Sequence, residues 1–169
     1  ENCLEWDKPL PGKPPAFVRN LYRPQMVSNR YARFWQTIHT MARKRNPDVV
    51  VTTFLYWNYI PTPTSGVKFN NTVYGEFVPW GQDEVTYFPM KPDAYRWLTQ
   101  QWEGWQKSGM IMAYRPNYLH GGYVMPHLST RQAPAFFKFA AQHGMIGFDQ
   151  DMLIGHWAVK GPMLYALLR

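Results

Sequence analysis

The chain has 169 residues, which is the size of one domain with enough length to bury a core, and it carries a net charge of +7. A single cysteine, Cys3, excludes an internal disulfide and a zinc site built from cysteines. No run of uncharged apolar residues is long enough to be predicted as a membrane span.

The N-terminal part of the chain is predicted to be irregular. Residues 1–7 have the pattern of a strand end that delivers Glu5 and Asp7 to a loop. Residues 8–27 contain repeated prolines and are predicted to form a long loop. Long loops in compact domains are often functional.

The first helix is predicted after Ser28 or Asn29, either of which can act as its N-cap. Six apolar residues recur at helical spacing and are expected to form one inward face. They are Tyr31, Phe34, Trp35, Ile38, Met41 and Ala42. The pattern stops at Asn46-Pro47, and the basic residues before it suit the C-terminal end of a helix dipole.

Two strands are predicted next. Val49 to Tyr56 is continuously apolar and rich in β-branched residues, which is typical of a strand buried on both faces. Three residues at its carboxyl end are candidates for ligand binding: Trp57, Asn58 and Tyr59. Thr72 to Val78 is the second strand, with Glu76 near its end, and residues 79–92 form a second long loop.

The second helix is predicted to open at Pro92-Asp93 and to end at Ser108-Gly109. Large apolar residues recur at a spacing of three to four and are expected in the core: Tyr95, Leu98, Trp102 and Trp105. Met110 to Tyr114 is the third strand. The residues after its end are further candidates for ligand binding, namely Arg115, Asn117 and Tyr118.

The last predicted strand, Met145 to Phe148, ends in two acids. It follows a third helix, which Gly144 terminates. Asp149 and Asp151 are two residues apart, so on an extended segment their side chains point the same way, about 7 Å apart. His156 and Trp157 come soon after. The alternative is that Asp149 caps a turn and Asp151 is solvated, since Asp is common in turns.

The order of strands and helices predicts a parallel α/β fold. A closed (β/α)8 TIM-type barrel needs about 250 residues. We therefore interpret residues 1–169 as a single domain with four to five parallel strands, the C-terminal half of such a barrel and a fragment of a larger chain. An open five-stranded sheet is the alternative. No glycine-rich phosphate loop follows a strand, so no nucleotide cofactor is predicted.

Three segments resemble a known family. They are RYARFWQTIHTMARKRNPDVVVTTFLYWNYIPTP, RPNYLHGGYVMPHL and FAAQHGMIGFDQDMLIGHWAVKGPMLYALLR, and together they cover most of residues 28–169. The family consists of large bacterial glycoside-hydrolase-like barrel proteins catalogued as a domain of unknown function, similar in fold to α-glucuronidase and hexosaminidase barrels. The resemblance implies a secreted or periplasmic role on polysaccharide.

Glycoside hydrolysis generally needs two carboxyl groups that flank the scissile bond. We expect Asp149 or Asp151 to act with Glu76 or Asp7, because a pair from different strands can straddle a substrate. Trp57, Tyr59, Tyr118 and Trp157 are expected to stack on sugar rings, and Arg115, Asn58, Asn117 and His156 to bind hydroxyls or a uronate. Loop packing is the alternative for each residue. No metal-binding histidine spacing is present, so no metal is predicted.

Two other functions are also compatible with the sequence. The chain could bind glycans without cleaving them, through the same aromatic residues. It could also be a structural subunit, completed by other segments or chains that close the barrel. Nucleic-acid binding is not predicted, because the basic residues are spread along the sequence and no nucleic-acid motif is present.

Overall fold

The computed structural model describes residues 27–79, 92–116 and 132–149, together with Gly161, Pro162, Tyr165 and Arg169. The elements with defined bounds are α1 (Ser28–Arg43), β1 (Val51–Leu55), a one-turn 3-10 helix (Trp57–Tyr59), β2 (Val73–Phe77), α2 (Pro92–Lys107), β3 (Ile111–Tyr114), α3 (Gln132–Gln142) and β4 (Met145–Phe148). Gly161, Pro162 and Tyr165 are also helical.

The four strands form one parallel sheet in the order β1-β2-β3-β4. The predicted parallel α/β fold is therefore confirmed. Each strand lies beside its neighbour in the sequence, and helices α2 and α3 make the crossovers from β2 to β3 and from β3 to β4. A sheet of this order and with these crossovers is compatible with part of a (β/α) barrel.

The helices described here cover one face of the sheet. Phe77 of β2 and Tyr114 of β3 both lie against Phe136 of α3, with ring centroids 6.0 Å and 5.0 Å apart. Phe77 also meets Trp102 of α2 edge-on at 5.5 Å. Helix α1 joins the same cluster through Trp35. Because side chains alternate along a strand, the other residues of each strand point to the opposite face.

The aromatic stripe of α2 forms the centre of this core, as predicted. Trp102 and Trp105 are fully buried. The indole N–H of Trp102 donates to the carbonyl of His143, at 2.8 Å, and that of Trp105 donates to the carbonyl of Ile60, at 2.7 Å. Both rings therefore bury a large apolar area without leaving a buried donor unpaired.

The crossover from β1 to β2 contains no α-helix. Beyond the 3-10 helix it runs through residues 60–72, held by side chains of the helices on either side. The side-chain Oδ1 of Asn29 accepts hydrogen bonds from the backbone N–H groups of Thr64 and Ser65. The side-chain Oε1 of Gln101 accepts one from the backbone N–H of Thr62, at 2.8 Å. These bonds satisfy backbone donors that no secondary structure pairs.

The predicted N-cap of α1 is wrong. The helix begins at Ser28, and the capping position is Val27, which makes no side-chain hydrogen bond to the helix. Asn29 is instead used to hold the β1–β2 crossover. A competing tertiary hydrogen bond therefore takes the residue that the local sequence pattern assigned to the cap.

Two predictions of burial are also corrected. Half of the apolar face expected on α1 is exposed: Trp35 is only 4% exposed, whereas Phe34 and Met41 are 56% and 61% exposed. Strand β1, predicted to be buried on both faces, alternates between exposed residues and residues that are half-buried or buried, and Phe54 is 48% exposed. The reason is that the described helices cover only one face of the sheet. Helix α1 in turn contacts the core with only one of its sides.

Candidate active site

All four strands are parallel, so their carboxyl ends lie along one edge of the sheet. The parallel ladder continues by one backbone hydrogen bond beyond the end of each pair of neighbouring strands. The N–H of Val78 donates to the carbonyl of Leu55, that of Arg115 to Phe77, and that of Asp149 to Tyr114, at 2.9, 2.9 and 3.0 Å. The backbone thereby places the residues after β3 and β4 in register with the end of β2.

Three charged side chains meet at this edge, on the face opposite the helices. The Nε of Arg115 donates a hydrogen bond of 2.7 Å to Oδ2 of Asp149 and lies 3.6 Å from Oε2 of Glu76. Alternation explains the arrangement. Glu76 points away from Phe77 and the core, and Arg115 and Asp149 each follow a residue whose ring packs toward the helices.

Glu76 has an unusual environment for a carboxyl group. Its pKa is raised above the ordinary value of 4.5, chiefly by burial, then by the negative charge of Asp149, and the nearby Arg115 partly opposes this. Within the described part of the chain, its Oε2 atom is buried and accepts no hydrogen bond. A carboxyl group in this position is suited to holding a proton that it can donate.

Asp149 differs from Glu76 in exposure and in hydrogen bonding. Its side chain is 58% exposed, compared with 23% for Glu76, and it accepts the short hydrogen bond from Arg115. A charged donor such as a guanidinium binds best to an anionic acceptor. The two carboxyl groups therefore have distinct surroundings although they share one arginine.

Two residues that were not among the sequence candidates complete this cluster. The guanidinium of Arg115 lies over the ring of Phe54, 5.2 Å from its centroid. Tyr74 lies on the same face as Glu76, two residues before it, and its pKa is raised by burial and by the charges of Glu76 and Asp149. The period of two along β2 could have identified Tyr74. Phe54 was concealed within an apolar run that looked fully buried.

Two of the candidates after β1, Asn58 and Tyr59, contact helix α1 and the residue before it. Tyr59 stacks on Tyr31 of α1, with ring centroids 4.2 Å apart, and meets Trp35 edge-on. Burial, and then Tyr31 and Tyr56, raise its pKa. The carbonyl of Asn58 accepts a hydrogen bond from the N–H of Val27. Trp57 begins the 3-10 helix. These residues join the end of β1 to the start of α1.

The remaining candidates lie outside the described residues. They are Asp7, Asp151, Asn117, Tyr118, His156 and Trp157. Of the predicted carboxyl groups, the structure brings Glu76 and Asp149 together, and of the predicted binding residues it places Arg115 with them.

Within residues 27–79, 92–116 and 132–149, no group of three or more potential ligands could hold a metal ion. The same part of the chain contains no helix long and apolar enough to cross a membrane. His143 caps a helix end, where its ring stacks on Phe139 at 4.1 Å. His39 is nearly buried on α1.

No protein-family model, curated protein or solved structure matches the chain. The geometry of the site and the chemistry of its residues are therefore the basis for a functional proposal.

Proposed function

We propose that this chain is part of a glycoside hydrolase that acts on polysaccharide, with Glu76 and Asp149 as its two reacting carboxyl groups. The observation that carries the proposal is their meeting on the sheet face opposite the described helices, at the carboxyl end of the strands, where each lies within 4 Å of the same arginine. Ligands of parallel α/β folds bind at this end of the strands.

The chemistry of the three charged groups supports this reaction class. Glycoside hydrolysis needs one carboxyl group that keeps its proton and a second that is ionised. Burial and the charge of Asp149 raise the pKa of Glu76, which suits the acid. The hydrogen bond from Arg115 suits Asp149 to the ionised role. The half-exposed ring of Phe54 adds an apolar surface beside the guanidinium of Arg115.

We also propose that the sheet is an arc of a (β/α) barrel. The sequential strand order, the parallel strands and the packing of the helices on one face support it. In a barrel of this kind the face that carries Glu76 would be the inner one. The family resemblance in the sequence adds a secreted or periplasmic setting to the proposal.

Hydrolysis can be tested with a panel of polysaccharides and oligosaccharides, by measuring released reducing ends and separating the products. We expect the wild-type protein, with the segments that complete the barrel, to release sugar from at least one glycan. Glu76→Gln and Asp149→Asn should each lower the rate by roughly 100-fold or more, the range expected for loss of a positioned acid or base. No release from any glycan would contradict the proposal.

The control variant is Glu103→Gln, on helix α2 and away from the sheet edge, which removes the same charge. It should keep the wild-type rate. Binding measured in parallel separates a hydrolase from a glycan-binding protein. An Asp149→Asn variant that binds a glycan without cleaving it, where the wild type cleaves it, supports the enzyme. If Glu76, Arg115 and Asp149 only hold the strand ends together, replacing them should lower the free energy of unfolding and leave the rate of sugar release unchanged.

A further inference from the structure

The distances around Arg115 limit how far apart the two carboxyl groups can be. Its Nε lies 2.7 Å from Oδ2 of Asp149 and 3.6 Å from Oε2 of Glu76. Added together, these distances set an upper limit of about 6.3 Å between the two oxygens. That limit is reached only if the three atoms lie on a straight line.

Carboxyl separation predicts the stereochemical outcome of glycoside hydrolysis. Inverting enzymes hold their carboxyl groups about 6.5–9.5 Å apart, because a water molecule must enter between one of them and the sugar. Retaining enzymes hold them about 5–5.5 Å apart, because one carboxylate attacks the sugar directly. For these two oxygens, Oδ2 of Asp149 and Oε2 of Glu76, the limit of about 6.3 Å lies below the inverting range and includes the retaining one.

Resting on the proposed hydrolase activity, we infer that cleavage occurs with retention of anomeric configuration, with Asp149 as nucleophile and Glu76 as acid and then base. The exposure of the two groups assigns the roles. Asp149 is 58% exposed and can approach a sugar carbon, while the side chain of Glu76 is 23% exposed and lies deeper in the site. The raised pKa of Glu76 agrees with this assignment.

The reaction proceeds in two balanced steps. In the first, a carboxylate oxygen of Asp149 forms an ester bond to the anomeric carbon. The bond from that carbon to the glycosidic oxygen breaks, and this oxygen keeps the electron pair and takes the proton of Glu76. In the second, the oxygen of a water molecule bonds to the anomeric carbon, one of its protons passes to Glu76, and the ester bond to Asp149 breaks. Two inversions at one carbon restore its configuration.

The outcome can be read from the proton NMR spectrum of the first product formed, before its anomers equilibrate. We expect the anomer of the substrate. The opposite anomer would overturn this inference and leave the proposed hydrolase intact. No release of sugar from any glycan would instead contradict the proposed function, and retention with it, so the two failures are distinguishable.

A second measurement tests the assignment of the nucleophile. A 2-deoxy-2-fluoro glycoside of the cleaved sugar, with an activated leaving group, should add one glycosyl mass to the wild-type chain, and peptide mapping should place it on Asp149. Glu76→Gln should still accept the label, because an activated leaving group needs no acid. Asp149→Asn should not be labelled. A label on another residue, or none with a turning-over enzyme, overturns the assignment.

Discussion

The hydroxyl of Tyr74 lies 3.1 Å from the position that a Cβ atom would occupy at residue 147, where the chain has glycine. Gly147 belongs to β4 and Tyr74 to β2, so the tyrosine side chain reaches across the strand between them. The glycine leaves space on the sheet face for this side chain, which is near enough to Glu76 and Asp149 for their charges to raise the pKa of Tyr74. A contact this close would force the hydroxyl to move by a few tenths of an ångström.

We therefore expect Gly147→Ala to lower the free energy of unfolding by about 1 kcal/mol, the lower end of the cost of overpacking. Tyr74→Phe removes the hydroxyl that the new methyl group would contact. In the double variant the cost of the alanine should largely disappear, which a double-mutant cycle of urea unfolding curves would measure. Additive effects of the two substitutions would show that the contact is not responsible.

The pKa of Glu76 should respond in opposite directions to its two charged neighbours. Arg115 lowers it and Asp149 raises it. Arg115→Gln should therefore raise the pKa of Glu76 further, and Asp149→Asn should lower it toward 4.5. Titration of the Glu76 carboxyl carbon by ¹³C NMR measures both. Shifts of the same sign in the two variants would contradict the arrangement of charges described here.

Much of the fold could be predicted from the sequence because local signals and packing agree there. The bounds of β4 are those predicted, and α2 begins at Pro92, as expected from its first-turn proline. Gly109 and Gly144, which end the patterns of α2 and α3, have φ angles of +81° and +70°. Only glycine adopts that conformation without strain, so the sequence marks these ends reliably.

The depth of burial on α1 could not be predicted in the same way. Helical spacing identifies apolar residues that share a side of the helix, but the part that contacts the core depends on where the sheet and the β1–β2 crossover lie. The crossover meets α1 at Asn29 and Gln36. Trp35 is buried in the core, and Phe34, next to it in the sequence, is 56% exposed.

The two sides of α1 should differ in their effect on stability. Trp35→Ala should lower the free energy of unfolding by about 3–5 kcal/mol, because it empties a packed position in the core. Phe34→Ser and Met41→Ser should each change it by about 0.5 kcal/mol or less, since both side chains are more than half exposed. Urea unfolding of the three variants gives the comparison. A loss of several kcal/mol in Met41→Ser would show that this side of α1 is packed.

The candidate site was predicted in part, for a topological reason. Parallel strands bring their carboxyl ends to one edge whatever their number, so Glu76, Arg115 and Asp149 could be expected near each other. The sequence does not show which side chains share a face across strands. That depends on register, which pairs Phe54 with Glu76 and Ala113 with Gly147. Tyr59, by contrast, follows a strand end but turns toward α1 and packs on Tyr31.

The raised pKa of Glu76 also predicts how stability depends on pH. The folded state holds the Glu76 proton above pH 4.5, where an unfolded glutamate releases it. The free energy of unfolding should therefore fall as the pH rises from 4.5 through the raised pKa, and this contribution should be level above it. Glu76→Gln should lack this decline, whereas Glu103→Gln, which removes the same charge from α2, should keep it. Urea unfolding of wild type, Glu76→Gln and Glu103→Gln, measured between pH 4 and pH 8 at intervals of about half a pH unit, tests the effect. An equal decline in wild type and Glu76→Gln would show that burial at the strand ends does not penalise the ionised carboxylate.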